Sequence, residues 1–302
     1  MRAARRLVRA LALGTALLLA ACGGSDDSDP DLLFVSTRDG DYAIYAVSTS
    51  GGDEQRLTDA DVDASTPQGL LFQTEPAWSP DGSTIAFASK RSGTSDLYAM
   101  SADGSGTRRL TSTKDDDGQP AWSPDGERIV FARGSSGRLY VMSADGAGAR
   151  RLTDEEAEET EPAWSPDGRW IAYARRDPGT SIRELWLVRP DGSQGRRLTK
   201  LGGIAQAPSW SPDGRRIVFS ADVGDNRFDI YTVAADGKDV RLVTSGDDSF
   251  EPAWSPDGET IAFSEAGAIV AIDVGTGEER TLTDPEHNDS SPAWRPEQGG
   301  EQ

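Results

Sequence analysis

The sequence predicts an all-β fold, a six-bladed β-propeller with four antiparallel strands per blade, on three observations. The run Pro-x-Trp-Ser-Pro-Asp-Gly starts at Pro76, Pro120, Pro162, Pro208 and Pro252 and returns, degraded, as Pro292-Ala293-Trp294-Arg295-Pro296. Its intervals of 44, 42, 46, 44 and 40 residues match the length of a four-stranded blade. Four kinds of strand segment each occur six times, and the first-strand set is displaced by one unit against the others. Residues 31–58 hold strands two to four of a blade, and residues 292–296 hold a first strand with no successor. The two ends are therefore expected to complete one blade between them and close the ring.

Each element of the repeat has a physical reason, best read in the unit that begins at Pro120. Ala121-Trp122-Ser123 is a short first strand, and Pro124-Asp125-Gly126 is a turn in which proline presets φ and glycine takes φ > 0. The β-rich segments Arg128–Ala132 and Leu139–Met142 are the second and third strands, with Asp145-Gly146 as the next hairpin turn. Arg150-Arg151-Leu152-Thr153 is a polar fourth strand, suited to an exposed sheet edge. Equivalent second strands centre on Phe34, Phe87, Phe131, Tyr173, Phe219 and Phe263, and third strands on Tyr45, Tyr98, Tyr140, Trp186, Tyr231 and Val270. Fourth strands end at Thr58, Thr111, Thr153, Thr199, Thr244 and Thr283. One tryptophan per blade, from Trp78 to Trp294, reads as packing between blades rather than a ligand platform. The repeated aspartates of Ser-Pro-Asp-Gly read as turn residues bonding their own backbone rather than as metal ligands.

Ahead of the repeats stand Arg2, Arg5, Arg6 and Arg9, then an apolar run from Ala10 to Ala21 that is too short to cross a bilayer as a helix. This is the pattern of a secretory signal peptide. Its end, Leu19-Ala20-Ala21-Cys22, resembles the lipobox of bacterial lipoproteins. That resemblance implies that Cys22 is acylated and becomes the mature N-terminus and membrane anchor. The other reading is an ordinary signal peptide with an incidental cysteine. Cys22 is the single cysteine, so the chain has no intramolecular disulfide and no thiolate metal site. Residues 23–30 form a polar linker, expected to be flexible. Without residues 1–21 the chain keeps 27 basic side chains (31 less four arginines) against 51 acidic ones, a net charge near −24. So acidic a surface repels phosphate backbones, and no nucleic-acid partner is expected.

The repeat Pro-Ala-Trp-Ser-Pro-Asp-Gly, followed by Ile-Ala-Phe, a Leu-Tyr or Ile-Tyr pair, Asp-Gly and Arg-Arg-Leu-Thr, resembles the TolB-like, WD-repeat-related propellers over residues 31–296. The resemblance implies the fold and, less specifically, partners of the kind found in the Tol-Pal envelope system. Some relatives carry an α/β domain ahead of the propeller, and prolyl-oligopeptidase-type peptidases carry a hydrolase domain beside one. Neither is expected here, since eight residues separate Cys22 from the first propeller segment and the repeats run to residue 296. The expected layout is a signal peptide over 1–21, the lipidated cysteine and linker over 22–30, the propeller over 31–296 and a disordered tail over 297–302.

Catalytic constellations are thin. His287 is the single histidine, and no Gly-x-Ser-x-Gly nucleophile elbow occurs. Asp59, Asp61 and Asp63 alternate like calcium ligands, but Ala64 and Leu70 stand where an EF-hand needs Gly and Glu, which leaves a looser calcium site as the alternative. No catalytic residue, metal site or cofactor is assigned. The two faces of the disc differ more. The turns joining strands one to two and three to four are uniform, whereas the two-to-three loops and the crossovers vary, and variable loops on a rigid scaffold are where binding resides. The residues before each repeat proline, Glu75, Gln119, Glu161, Ala207, Glu251 and Ser291, are expected to ring the channel mouth, either as a binding rim or as a solvated acidic one. Arg38, Arg91, Arg133 and Arg176 join the same face from the two-to-three loops. Leu70-Leu71-Phe72, in the long first crossover, are either a local cover or an exposed patch for a partner. The expected function is a non-catalytic scaffold, held on the extracytoplasmic membrane by its lipid, that binds an envelope protein or peptide. The alternative is a small-molecule or glycan enzyme using carboxylates at the channel mouth, with or without calcium.

Overall fold

The computed structural model describes residues 30–50, 53–58, 73–153, 156–224 and 226–297. Cys22, the three alternating aspartates and Leu70-Leu71-Phe72 lie outside the described residues. What is described folds into six four-stranded antiparallel blades. From the channel outward, blade I comprises Ser290–Trp294, Leu32–Ser36, Ala43–Val47 and Gln55–Arg56. Blade II is Gln73–Trp78, Thr84–Ser89, Asp96–Ser101 and Arg108–Arg109, and blade III is Asp117–Trp122, Arg128–Arg133, Leu139–Ser143 and Arg150–Arg151. Blade IV is Glu158–Trp164, Ile171–Arg176, Arg183–Val188 and Arg196–Arg197. Blade V is Ile204–Trp210, Arg216–Asp222, Asp229–Ala234 and Arg241–Leu242, and blade VI is Ser249–Trp254, Thr260–Glu265, Ala268–Asp273 and Glu279–Thr281. A single parallel bridge, Arg183 to Ile204, links blades IV and V. The innermost strands touch in sequence from blade I to blade VI and back, so the ring is closed. The predicted closure is present: Leu32 pairs with Trp294 and Leu33 with Ala293.

The core lies between blades. Each of six buried clusters draws on two neighbours, as where Leu33, Ile44 and Leu57 of blade I meet Trp78, Ile85 and Phe87 of blade II. Cross-strand aromatic pairs such as Phe87 and Tyr98, ring centroids 5.9 Å apart, fill the blade middles. The repeat tryptophans act across the same boundaries. The Nε1 groups of Trp122, Trp210 and Trp294 donate to the carbonyls of Ala77, Ala163 and Ala253 in the preceding blade, at 3.2, 3.2 and 3.1 Å. Turn aspartates cap their own turns: Asp81 Oδ1 accepts from the Ser79 hydroxyl at 2.5 Å and the Ser83 N–H at 3.0 Å.

Two strand assignments need correction. The fourth strand ends after two residues in blades I to IV, Gln55-Arg56 in the first and an arginine pair in the next three, and the leucine that follows turns its side chain inward against the next blade. The leucine N–H still donates to the third strand, as Leu110 does to the Leu97 carbonyl at 2.7 Å, while burial of its side chain stabilises by roughly 2 kcal/mol. The threonine then supplies the missing acceptor: Thr58, Thr111, Thr199, Thr244 and Thr283 each take a third-strand N–H at 2.9–3.0 Å. The first strand is longer than expected. It starts two to four residues before the repeat proline, which therefore sits inside the strand, at a bulge, where the loss of a donor is tolerated.

Candidate functional site: the central channel

In blades II to VI the pairing of first and second strands slips across the bulge, between Thr74 and Ala77 in blade II and at the equivalent points after it. In all six blades the residue before the proline is left-handed. Glu75, Gln119, Glu161, Ala207, Glu251 and Ser291 have φ of 58°, 55°, 55°, 49°, 53° and 53°. For a residue with a Cβ this conformation costs roughly 1 kcal/mol or more, and it persists only where the surroundings over-determine it. Here a relay between blades does so. Glu75 Oε2 accepts the Gln119 N–H at 2.6 Å, Gln119 Oε1 the Glu161 N–H at 2.9 Å, and Glu161 Oε2 the Ala207 N–H at 2.9 Å. Glu251 Oε2 takes both the N–H and the hydroxyl of Ser291, at 2.8 and 3.2 Å. Ala207 has only a methyl to offer the next blade. Gly118 makes room for the first link, since a Cβ there would stand 2.9 Å from Glu75 Oε2.

These six residues and the six prolines line one central cavity of about 200 Å³. The carboxylates are half-buried, deep in the disc but facing the channel. Burial pushes the Glu75 carboxyl up to about 7; the donated Gln119 N–H opposes this, and the charges of Glu161 and Glu251 add to it. Burial raises Glu161 as well, against the Ala207 N–H and the Arg183 guanidinium. A small polar cavity with a partly protonated carboxyl can exchange protons or accept a hydrogen-bond donor or cation. It is smaller than the ~300–1,000 Å³ of drug-sized pockets. Among the described residues no three His, Cys, Asp or Glu side chains converge to hold a metal ion.

The structure thus brings Glu75, Gln119, Glu161 and Glu251 to one place and sets the arginines apart. Arg91 lies over the Tyr98 ring, 4.8 Å from its centroid, with Nε 3.2 Å from Ser89 Oγ. Arg176 pairs with Glu158, which also holds Arg183, and borders a separate groove of about 440 Å³ with Arg138 and Asp177. Arg38 and Arg133 cap the Phe34–Tyr45 and Phe131–Tyr140 pairs in the same way. Their partners escaped sequence reading. Arg133 grips fully buried Asp117 at 2.6 and 2.9 Å, and Arg38 holds buried Asp289 at 2.9 Å. Asp96, likewise buried, meets Arg109 at 2.6 Å. The Arg38–Asp289 pair ties a two-to-three loop to a crossover of the variable face, and the other two lock strand ends together within a blade. The available signal was an Asp in a crossover or at a strand start, one blade position from an Arg.

The family described as TolB beta propeller domain, PD40, matches residues 68–183 and 179–299. The Tol-Pal system protein TolB of Desulfosudis oleivorans is 37% identical over 67 residues, which are 22% of this chain and 13% of that protein. The aligned stretch is thus a small part of that relative. Among solved structures, TolB from Acinetobacter baumannii superposes with a TM-score of 0.76 at 20% identity, over 89% of this chain and 67% of that one. A putative TolB from Agrobacterium tumefaciens gives 0.64 at 20%, over 89% and 99%. Oligogalacturonate lyase in complex with manganese gives 0.57 at 17%, over 82% and 72%. At such identities the likeness concerns the fold, which hosts proteins of different activity. The family match, in contrast, spans most of the sequence, and on it the chain belongs to the TolB β-propeller family.

Proposed function

We propose that this chain is a lipid-anchored propeller of the bacterial cell envelope whose variable face, centred on the channel mouth, receives a protein or peptide. One observation carries the reading: the turn face and the channel are put to different uses. On the turn face, small residues are taken up by contact with the neighbouring blade. A Cβ on Gly146 would stand 2.5 Å from the Leu110 carbonyl, and one on Gly192 2.3 Å from that of Leu152. In the channel, midway along the innermost strands, polar side chains instead converge on an open cavity. Membership of the TolB family and the partial likeness to a Tol-Pal system protein support an envelope role. A partner that inserts a donor-rich segment would meet Glu75, Glu161 and Glu251 together. Arg91, Arg176 and the Leu70-Leu71-Phe72 triplet would extend its footprint. No catalytic residue or cofactor enters this reading.

The test is a crosslinking pull-down from membranes, comparing the native chain with a Glu75→Gln, Glu161→Gln, Glu251→Gln variant. The amides keep an acceptor for each relay N–H, so melting temperature should not fall while partner capture is lost. Undiminished capture by the folded variant would remove the channel from the function. The raised Glu75 carboxyl favours a second reading, a general acid acting on a glycan. It requires turnover of an oligosaccharide by the native chain and none by Glu75→Gln.

A further inference from the structure

We infer that the membrane-facing side of this propeller is its uniform turn face, so that the channel mouth opens away from the bilayer that holds the protein. The inference rests on the lipid-anchor reading and adds the orientation, which follows from where the chain joins the disc. Asp31 is fixed at that point. Its N–H donates to the Val47 carbonyl at 3.2 Å and its own carbonyl accepts the Arg295 N–H at 2.8 Å. Its carboxylate takes the N–H and hydroxyl of Thr49, at 2.8 and 2.7 Å. Thr49 belongs to the hairpin between the third and fourth strands of blade I, and Arg295 stands where other blades begin Ser-Pro-Asp-Gly. Pro30 lies in a groove beside the Ser255-Pro256-Asp257 turn of blade VI. All of these are turn-face positions.

Chain length does the rest. Eight residues lead from Cys22 to Pro30. At full extension they reach at most about 29 Å, at roughly 3.6 Å per residue. A six-residue strand alone rises about 20 Å, and a four-stranded blade is about 14 Å from first strand to last. To present the opposite face to the membrane, the tether would have to leave the groove, cross the outer strands and run down the full thickness of the disc. That path uses the whole reach with nothing left for the loops. With the turn face inward, no such detour is needed. A partner docking on the variable face therefore approaches from the far side and need not share the anchoring leaflet.

The experiment exploits the single cysteine. Once Cys22 is acylated, an added cysteine is the only free thiol. Ser105→Cys, exposed on the turn face, and Ser135→Cys, exposed on a two-to-three loop of the variable face, are each labelled with a donor dye. The lipidated proteins are then placed on phosphatidylcholine vesicles carrying a headgroup-linked acceptor. Energy transfer from position 105 should exceed that from position 135 several-fold. Equal or reversed transfer on sedimenting vesicles overturns the orientation alone. Failure of the native, acylation-competent chain to sediment with vesicles, or sedimentation of Cys22→Ser equal to the native chain's, overturns the anchor and the orientation with it.

Discussion

At the scale of the residue, Glu75 holds the most consequential chemistry. Its carboxyl, raised from 4.5 to about 7, binds a proton in the folded chain over a range where the unfolded chain has released it. The stability this contributes is full below pH 4.5 and is lost as pH rises through about 7. Glu161 shifts in the same direction and adds to the loss. Glu75→Gln keeps the acceptor for the Gln119 N–H and removes the ionisation. It should raise the melting temperature at pH 8, by an amount equivalent to about 3 kcal/mol, and leave it unchanged near pH 4. Thermal denaturation at the two values checks this, and an unaltered pH slope would mean that Glu75 does not titrate there. The position of this residue was legible, because it precedes a repeated proline. Its environment was not: burial and the 2.6 Å bond come from a blade 44 residues further on.

At the scale of the element, middle strands were legible and outer ones were not. The apolar, aromatic centres of strands two and three were read from the sequence around Phe87 and Tyr98, and the register sets these two opposite each other. The Arg-Arg-Leu-Thr segment misleads because its leucine keeps a backbone bond to its own blade but sends its side chain to the next, and the threonine side chain takes over as acceptor. The proline misleads in the opposite sense, marking a bulge within a strand instead of its start. The Leu70-Leu71-Phe72 triplet, just ahead of the innermost strand of blade II, lies outside the described residues, and its two readings separate experimentally. Changing all three to Ser should abolish partner capture and barely move the melting temperature. A fall of many degrees would identify the triplet as core, where losing three buried apolar side chains costs on the order of 6 kcal/mol or more. Unchanged capture with unchanged stability would remove it from the interface.

At the scale of the whole molecule, the blade count was legible because the strand sets are offset, and an offset has one economical solution in a ring. The closing strand carries more than its backbone ladder. Trp294 Nε1 reaches the Ala253 carbonyl, and its ring packs on the cluster shared by blades I and VI. Removing residues 292–302 should therefore lower stability by several kcal/mol, whereas removing only 297–302 should change little. Chemical denaturation of the two truncations decides the matter, and equal midpoints for the longer deletion and the full chain would show that the ring holds without its clasp. The uniformity of the turn face also finds its reason at this scale. The Asp-Gly hairpins between the third and fourth strands of blades II to V pack on the leucine carbonyl of the preceding blade, and the glycines of the Pro-Asp-Gly turns in blades III to VI pack on its turn proline, so the repeat is written by neighbours rather than by a ligand.

The clasp also sets an order of events. Arg38 and Asp289, which meet beside it, are 251 residues apart in sequence. Bringing ends that distant together costs about 5 kcal/mol of chain entropy, and contacts of such range form late. Synthesis delivers Leu32–Ser36 early and its inner partner Ser290–Trp294 last. In the interval a strand whose five residues are all buried in the finished ring stands as an open, apolar sheet edge. Such an edge is the surface on which one chain recruits another. An interrupted or clipped C-terminus thus does more than loosen the fold: it leaves a template for self-association at the seam where the native ring should have met itself.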